Sequence, residues 1–558
     1  MTESHMRGPV EPPLLDRTIG EAFDLAVERW GDEDALVVPH QAVRWTWAEL
    51  GKRVDAVARG LVRLGFEPGD RLGIWATNVW QWTVTQFATS KAGIILVNIN
   101  PAYRIGELEY VLNKVGCKGL VTGVEFKTSN YIAMLEGLLP ELAECEPGQL
   151  QAAAVPCLRT VIRLGTARSP GMMNFGDVLD LGEANASAPL PPRPLDCRDA
   201  INIQFTSGTT GAPKGATLSH HNILNNARYI AHILRYTPQD RVLVPVPLYH
   251  CFGMVGGALC AVSTGATLVY PAESFDPESS LRAIAAERIT SLYGVPTMFL
   301  AMLEHPDFAT TRVDSLRTGV MAGAPCPVEL MKRAVGDFHL PEITIAYGMT
   351  ETSPVSFQSQ TDDPIDKRVG TVGRIHPHAE AKIVDSSGGT VPIGEQGEIM
   401  TRGYLVMAGY WADDARTAEA IEDGWMHTGD LGTVDEDGWL RITGRVKDMV
   451  IRGGENIYPR EIEEYLYTHP AIAEAQVFGV PDDRFGEEVA AWIQLREGES
   501  LDADRVREYC REHIAHYKIP RYIEFVDAFP MTVTGKIQKF EMRRMVAERL
   551  GLAEQETA

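Results

Sequence analysis

Ile203-Gln-Phe-Thr-Ser-Gly-Thr-Thr-Gly-Ala-Pro-Lys-Gly-Ala216 runs from an apolar strand end into a loop crowded with hydrogen-bond donors. Thr206, Ser207, Thr209 and Thr210 offer hydroxyls, Gly208, Gly211 and Gly215 let backbone N–H groups approach closely, and Lys214 adds a point charge. Donors converging from several directions are what phosphate oxygens require. The loop lacks the Gly-Lys-Ser/Thr ending of a Walker A motif, since Lys214 follows Pro213 and precedes Gly215. Kinase-type geometry is therefore not expected, while a nucleotide triphosphate remains the expected ligand.

Outward from this loop the chain alternates β and α signals. Thr18-Ile-Gly-Glu-Ala-Phe opens an amphipathic helix, and Thr46 is placed to cap a second one, with Glu49 at the capping-box spacing. Arg71-Leu-Gly-Ile-Trp and Gly93-Ile-Ile-Leu-Val read as buried strands. Such alternation predicts a largely parallel sheet covered on both faces, which makes the chain an α/β protein. Residues 183–196 are small, polar and Pro-rich and read as a surface connector. After about residue 375 the texture changes, and turns such as Asp385-Ser-Ser-Gly-Gly and Asp435-Glu-Asp-Gly-Trp predict a β-rich lobe over about 380–445. Residues 446–558 read as a smaller α+β unit, with a helix carrying Ile462, Tyr465 and Leu466 on one face. The expected division is a domain of residues 1–445 and a small mobile domain of residues 446–558.

Composition narrows the function classes. The 558 residues carry 75 Asp and Glu against 52 Lys and Arg, a net charge of −23. Such a surface is a poor partner for nucleic acid or anionic lipid, so a polyanion must be held by a local site. The eight cysteines show no CxxC spacing and read as reduced core thiols. The N-terminus has no apolar signal-peptide run, and a cytoplasmic protein is expected. No charged side chain occurs from Val242 to Ala272, but Pro245, Pro247, Gly253, Gly256, Gly257 and Gly265 break the stretch. It reads as a strand, loop, helix and strand of a soluble core rather than a membrane span. Ser219-His220-His221-Asn222 reads as a capped helix start, and His513 and His516 as helix residues without a zinc-protease Glu.

Thr206-Ser-Gly-Thr-Thr-Gly-Ala-Pro-Lys-Gly resembles the phosphate loop of the adenylate-forming (AMP-binding) superfamily, and further motifs of that family follow in order. Ala346-Tyr-Gly-Met-Thr-Glu-Thr resembles its YGxTE motif. The resemblance implies Tyr347 and Gly348 beside adenine, Thr350 at the α-phosphate and Glu351 at Mg²⁺, a hard cation suited to carboxylate oxygen. Gly323-Ala324-Pro325 would line the adenine pocket through its backbone. Trp425-Met-His-Thr-Gly-Asp resembles the WxxTGD motif, which gives Asp430 the ribose hydroxyls, and Arg445 would contact ribose or phosphate. Lys447 occupies the hinge position, and Gly453 and Gly454 would border the tunnel of the acceptor thiol. Pro530-Met-Thr-Val-Thr-Gly-Lys matches the motif whose lysine, here Lys536, is catalytic. The resemblance implies the adenylate-forming fold, with a site between two domains.

The implied reaction joins a carboxylic acid to coenzyme A through an acyl-adenylate, releasing AMP and pyrophosphate. A carboxylate is itself the nucleophile at neutral pH. No carboxylate lies between Arg241 and Glu273 to pair with an amino-acid ammonium, so a simple acid fits better. His250 would lie near its carboxylate, and the apolar run Met254–Leu259 would line an acyl channel, as in relatives. The chain ends soon after Lys536, and free coenzyme A rather than a fused carrier is the expected acceptor. Tyr249–Pro277 resembles the medium-chain branch called acyl-CoA synthetase family member two. Long-chain or aryl acids stay open as substrates. So do an acyl phosphate-forming phosphotransferase and a non-catalytic nucleotide-binding protein as other classes, and a homodimer as the assembly.

Overall fold

The computed structural model describes residues 3–187, 190, 194–206, 213–324, 326–453, 455–482, 484–511, 513–532 and 535–551. Two large sheets dominate the first 375 residues, and both are parallel in the middle and antiparallel at one or both ends. In the eight-stranded sheet Arg71–Trp75, Ile95–Asn98 and Ala200–Thr206 lie side by side in parallel. Ala200–Thr206 pairs antiparallel with Lys214–Ser219, with Thr206 opposite Lys214, so the two flanks of the phosphate-loop motif lie side by side. In the nine-stranded sheet the strand Glu342–Gly348 lies beside Thr318–Ala322, with Ala346 level with Ala322. The YGxTE and Gly-Ala-Pro motifs therefore emerge at the same end of neighbouring strands, where parallel sheets place their ligands.

Both predicted helices form, the second where its expected cap stands. Thr18 and Thr46 each accept from the backbone N–H three residues on, closing capping boxes on the helices Ile19–Trp30 and Trp47–Arg63. Such a cap is worth about 1 kcal/mol. Phe23 from the first helix stacks on Phe87 with ring centroids 4.5 Å apart, and both are fully buried. Burying a ring of this size contributes roughly 1.5–3 kcal/mol. Ser219 caps the helix His220–Ile233 as expected. His220 is an internal acceptor, its Nδ1 taking the N–H of Ile19 at 3.1 Å. His513 and His516 are not on a helix together: the helix Ala503–Arg511 ends before them, and His516 opens a separate short turn, His516–Lys518.

The β-rich lobe is an antiparallel six-stranded sheet, and its edge is a strand from the far end of the chain, His5–Arg7, paired with Ala379–Val384. Three residues at the N-terminus carry too little periodicity to be read as a strand, so sequence analysis missed it. Conversely, Gly409–Tyr410, inside the stretch assigned to this lobe, joins the edge of the eight-stranded sheet beside Lys214–Ser219. Beyond residue 446 a separate five-stranded sheet is built on the long hairpin Ile472–Asp482 and Gly486–Leu495. The helix Pro459–Leu466 packs Ile462 and Leu466 into that sheet's own core with Val477 and Val489. Among the described residues no helix is long and apolar enough to cross a membrane. The uncharged stretch 242–272 is a strand, a helical segment and a second strand of the core.

Candidate active site

Glu351 sits in the short turn Thr350–Thr352 just past the strand Glu342–Gly348 and is 5% exposed. Gly348 is dictated by this turn, since a Cβ there would lie 1.9 Å from the carbonyl oxygen of Pro354. Two hydroxyls from the other sheet reach Glu351. Thr206 Oγ1 donates to Oε1 at 3.2 Å and the Tyr410 hydroxyl donates to the same oxygen at 2.9 Å. Burial, and then the carboxylate itself, push the Tyr410 phenol upward, so it stays a donor. Lys214 Nζ lies 5.0 Å from the centre of the Tyr410 ring. One face of the carboxylate is thus tied to the strand pair that flanks the phosphate-loop motif.

Asp430 and Arg445 stand opposite each other on antiparallel strands. Arg445 Nε donates to Asp430 Oδ1 at 2.8 Å, and the Tyr347 hydroxyl donates to Oδ2 at 2.7 Å. Tyr347 and Asp430, which are 83 residues apart, are so joined through the tip of the nine-stranded sheet and the β-rich lobe. Gly323 takes φ +87° at the end of its strand, a conformation suited to glycine. A Cβ there would come within 3.8 Å of Lys536 Cε.

Lys536 comes from the C-terminal part of the chain and is tied to Thr532. Its N–H donates to Thr532 Oγ1 at 3.1 Å and its carbonyl accepts from Thr532 N at 2.8 Å. Gly535 packs against Val295 and Thr297. The ammonium is pulled below the usual lysine range, chiefly by burial and next by Arg445, while Cys251, Asp430 and Glu351 oppose that shift. The lysine is therefore within electrostatic reach of both acidic residues.

His250 completes the cluster. Burial, and then Lys536, pull it down to about 3, so it is neutral. Its Nδ1 accepts the N–H of Phe252 at 3.2 Å, which leaves the ring hydrogen on Nε2. Cys251 Sγ lies 3.6 Å from that Nδ1 and 3.5 Å from Thr350 Oγ1. Burial raises the Cys251 thiol to about 11, so it bridges these two groups uncharged. The segment Phe252–Leu259 is a π-helix, buried from Gly253 onward. Cβ atoms at 253 and 257 would strike Pro247 and Val244, whereas at 256 the missing side chain leaves ordinary contact space beside Phe252 and Tyr293.

Thr206, Lys214, His250, Gly323, Tyr347, Gly348, Thr350, Glu351, Asp430, Arg445 and Lys536 thus converge through these contacts, with Ala324 beside Gly323. Gly453 does not join them: it is exposed, and its N–H donates to the carbonyl of Phe485, just before the strand Gly486–Leu495, at 2.8 Å. Lys447 is exposed on the turn Val446–Asp448 between the β-rich lobe and the last sheet. Ser207, Gly208, Thr209, Thr210, Gly211, Pro325 and Gly454 lie outside the described residues. Sequence analysis missed Tyr410 and Cys251. Cys251 could have been found as the neighbour of His250, but Tyr410 carries no local signal and reaches Glu351 only through sheet pairing.

The AMP-binding enzyme family model matches residues 23–411, and the AMP-binding enzyme C-terminal domain model matches residues 461–536. The chain is 46% identical over 558 residues to the medium-chain acyl-CoA ligase ACSF2, mitochondrial, of Bos taurus, covering 98% of this chain and 91% of that protein. It is 47% identical over 546 residues to the putative acyl-CoA synthetase YngI of Bacillus subtilis (strain 168), covering 97% and 99%. Among solved structures it is similar to the anthranilate CoA ligase AuaEII in complex with anthranoyl-AMP, with TM-score 0.86, 27% identity and coverage of 97% and 99%. It is also similar to ATP-bound MatB from Rhodopseudomonas palustris, with TM-score 0.82, 29% identity and coverage of 96% and 100%. With matched models over most of its length and relatives this similar end to end, the chain belongs to the AMP-binding enzyme family, among the adenylate-forming acyl-CoA synthetases.

Proposed function

We propose that the protein is a medium-chain fatty acid:CoA ligase that forms AMP. The observation that carries this reading is that Lys536 lies within electrostatic reach of Glu351, Asp430 and Arg445, which come from parts of the chain built on three separate sheets. The chemical obstacle in the first step is repulsion, because a carboxylate must approach the α-phosphorus of another anion. The carboxylate oxygen forms the new P–O bond, the bond to the β-phosphate breaks, and pyrophosphate leaves. Lys536 offsets the charge that builds up. Neutral His250 offers Nε2–H to the acid and holds it without adding charge. Asp430 takes the ribose hydroxyls, and Thr206, Lys214 and the rest of the phosphate loop hold the triphosphate. Gly323, Ala324, Pro325, Tyr347 and Gly348 enclose the adenine. In the second step the thiol sulfur bonds to the carbonyl carbon, AMP departs with the C–O electron pair, and the thiol proton is released.

Mg²⁺ fits the donor set. Among the described residues no group of three or more His, Cys, Asp or Glu could hold a metal alone. Glu351 offers one buried carboxylate beside hydroxyls, and Mg²⁺ is usually bound by one or two carboxylates together with substrate phosphates. When bound it would neutralise phosphate charge. The division into residues 1–445 and 446–558, with Lys447 as the hinge and Gly453 and Gly454 at the thiol passage, belongs to the same reading. A cytoplasmic location is part of it too, supported by eight cysteines that are all free thiols.

The medium-chain preference is supported by the uncharged channel helix beside His250 and by the relatives named above. The test is a panel of acids from short to long chain plus benzoate, scored for AMP and pyrophosphate with and without coenzyme A. Maximal coenzyme A-dependent AMP release with an acid near octanoate is expected. ADP without pyrophosphate would replace the reading with acyl phosphate formation, and a maximum at long-chain or aryl acids would reassign the substrate.

A further inference from the structure

The strands Val450–Arg452 and Glu455–Ile457 pair antiparallel with Arg452 opposite Glu455, and Gly453 follows the first of them. Gly453 has φ +59°, a conformation suited to glycine. It is supported from one side by Phe485. The Phe485 carbonyl accepts the Gly453 N–H at 2.8 Å, and a Cβ on residue 453 would lie 3.2 Å from Phe485 Cδ1.

Phe485 is itself held at backbone and ring. Asp482 Oδ1 accepts the N–H groups of Arg484 and Phe485, each at 2.9 Å. The guanidinium carbon of Arg452 lies 4.1 Å from the ring centre and that of Arg484 lies 4.9 Å from it. Arg452 has little freedom, because it forks onto Glu488 with Nε to Oε1 at 2.5 Å and Nη2 to Oε2 at 3.0 Å. Glu488 is 2% exposed, and a carboxylate that deep needs its partner. These contacts all lie within the C-terminal sheet and its turns.

We propose that Phe485, clamped by the Arg452–Glu488 pair, is a positioning residue for thiol transfer that shapes the Gly453 loop and takes no part in adenylate formation. This rests on the reading of that loop as the border of the thiol passage. A thiol must meet the acyl carbonyl in a narrow range of distances and angles. Removing the ring would leave the turn held by hydrogen bonds alone.

The test uses full-length Phe485→Ala and Phe485→Leu with octanoate. Pyrophosphate release without coenzyme A reads the first half-reaction. Decay of preformed octanoyl-adenylate after coenzyme A addition reads the second. Because Lys536 belongs to the same C-terminal unit, retained adenylation also reports that this unit is folded. Adenylation within about threefold of the parent and thiol transfer reduced about ten- to a hundredfold in Phe485→Ala are expected, since a displacement of about 1 Å can cost that much. Phe485→Leu should show a smaller loss, again only in the second step. Parallel loss of both steps in both variants, or loss of neither, would overturn the proposal. Gly453→Val separates the two layers. If it alone slows thiol transfer selectively, the loop's role stands and that of Phe485 falls. If it spares thiol transfer, the reading of the loop fails and takes this inference with it.

Discussion

Lys536 has given up much of its hydration within reach of two carboxylates, those of Asp430 and Glu351. Lys536→Ala is expected to reduce adenylate formation by about 10²–10³, in the range for loss of one preorganised electrostatic donor. Pyrophosphate release without coenzyme A measures this directly. Three histidines carry a different signature. Burial pulls His220 and His376 down to about 3, and burial and then Lys536 do the same to His250. In the unfolded chain each titrates near 6.5, so between 6.5 and 3 the unfolded state binds more protons. Their contribution is complete above pH 6.5 and is lost as pH falls toward 3. The urea midpoint should therefore fall from pH 7 to pH 5, and His376→Gln should lessen that fall. An unaltered pH slope in the variant would contradict this account.

At the scale of elements, the most demanding position is the end of the strand Glu342–Gly348. Gly348→Ala places a methyl group against the Pro354 carbonyl and is expected to cost about 1–3 kcal/mol, with the strain displacing Thr350 and Glu351 nearby. A thermal melt together with the apparent affinity for ATP would show both effects, and an unchanged melting temperature would refute the first. Most elements were legible locally. Thr46 and Ser219 announce their helices, because a cap is a contact over three residues, and the apolar spacing of Ile19, Phe23 and Ala26 announces another. The strand His5–Arg7 and the strand Gly409–Tyr410 were not, because each exists only through pairing with a distant edge. The π-helix Phe252–Leu259 was legible as apolar and helical but not as wide.

For the whole molecule, the proposed function turns on the relation between the proposed units 1–445 and 446–558, with Lys447 as the proposed hinge. Lys536 lies beside Gly323 and Gly453 is exposed, an arrangement that on the proposed roles of these residues suits the first half-reaction. Lys447→Pro, which fixes φ at the junction, should impair thiol transfer more than adenylate formation. Equal loss of the two steps, measured separately, would remove the junction from the mechanism. Sequence by itself determined the order of β and α segments, the caps and the residue types that can hold phosphate, ribose and a cation, since these depend on neighbours and spacing. Only the tertiary structure decided that Tyr410 and Thr206 share one oxygen of Glu351, that Tyr347 binds Asp430, and that Phe485 supports the Gly453 loop. The first three contacts join residues far apart in the chain, and all four depend on sheet register and on how separate sheets pack, which no local pattern of side chains encodes.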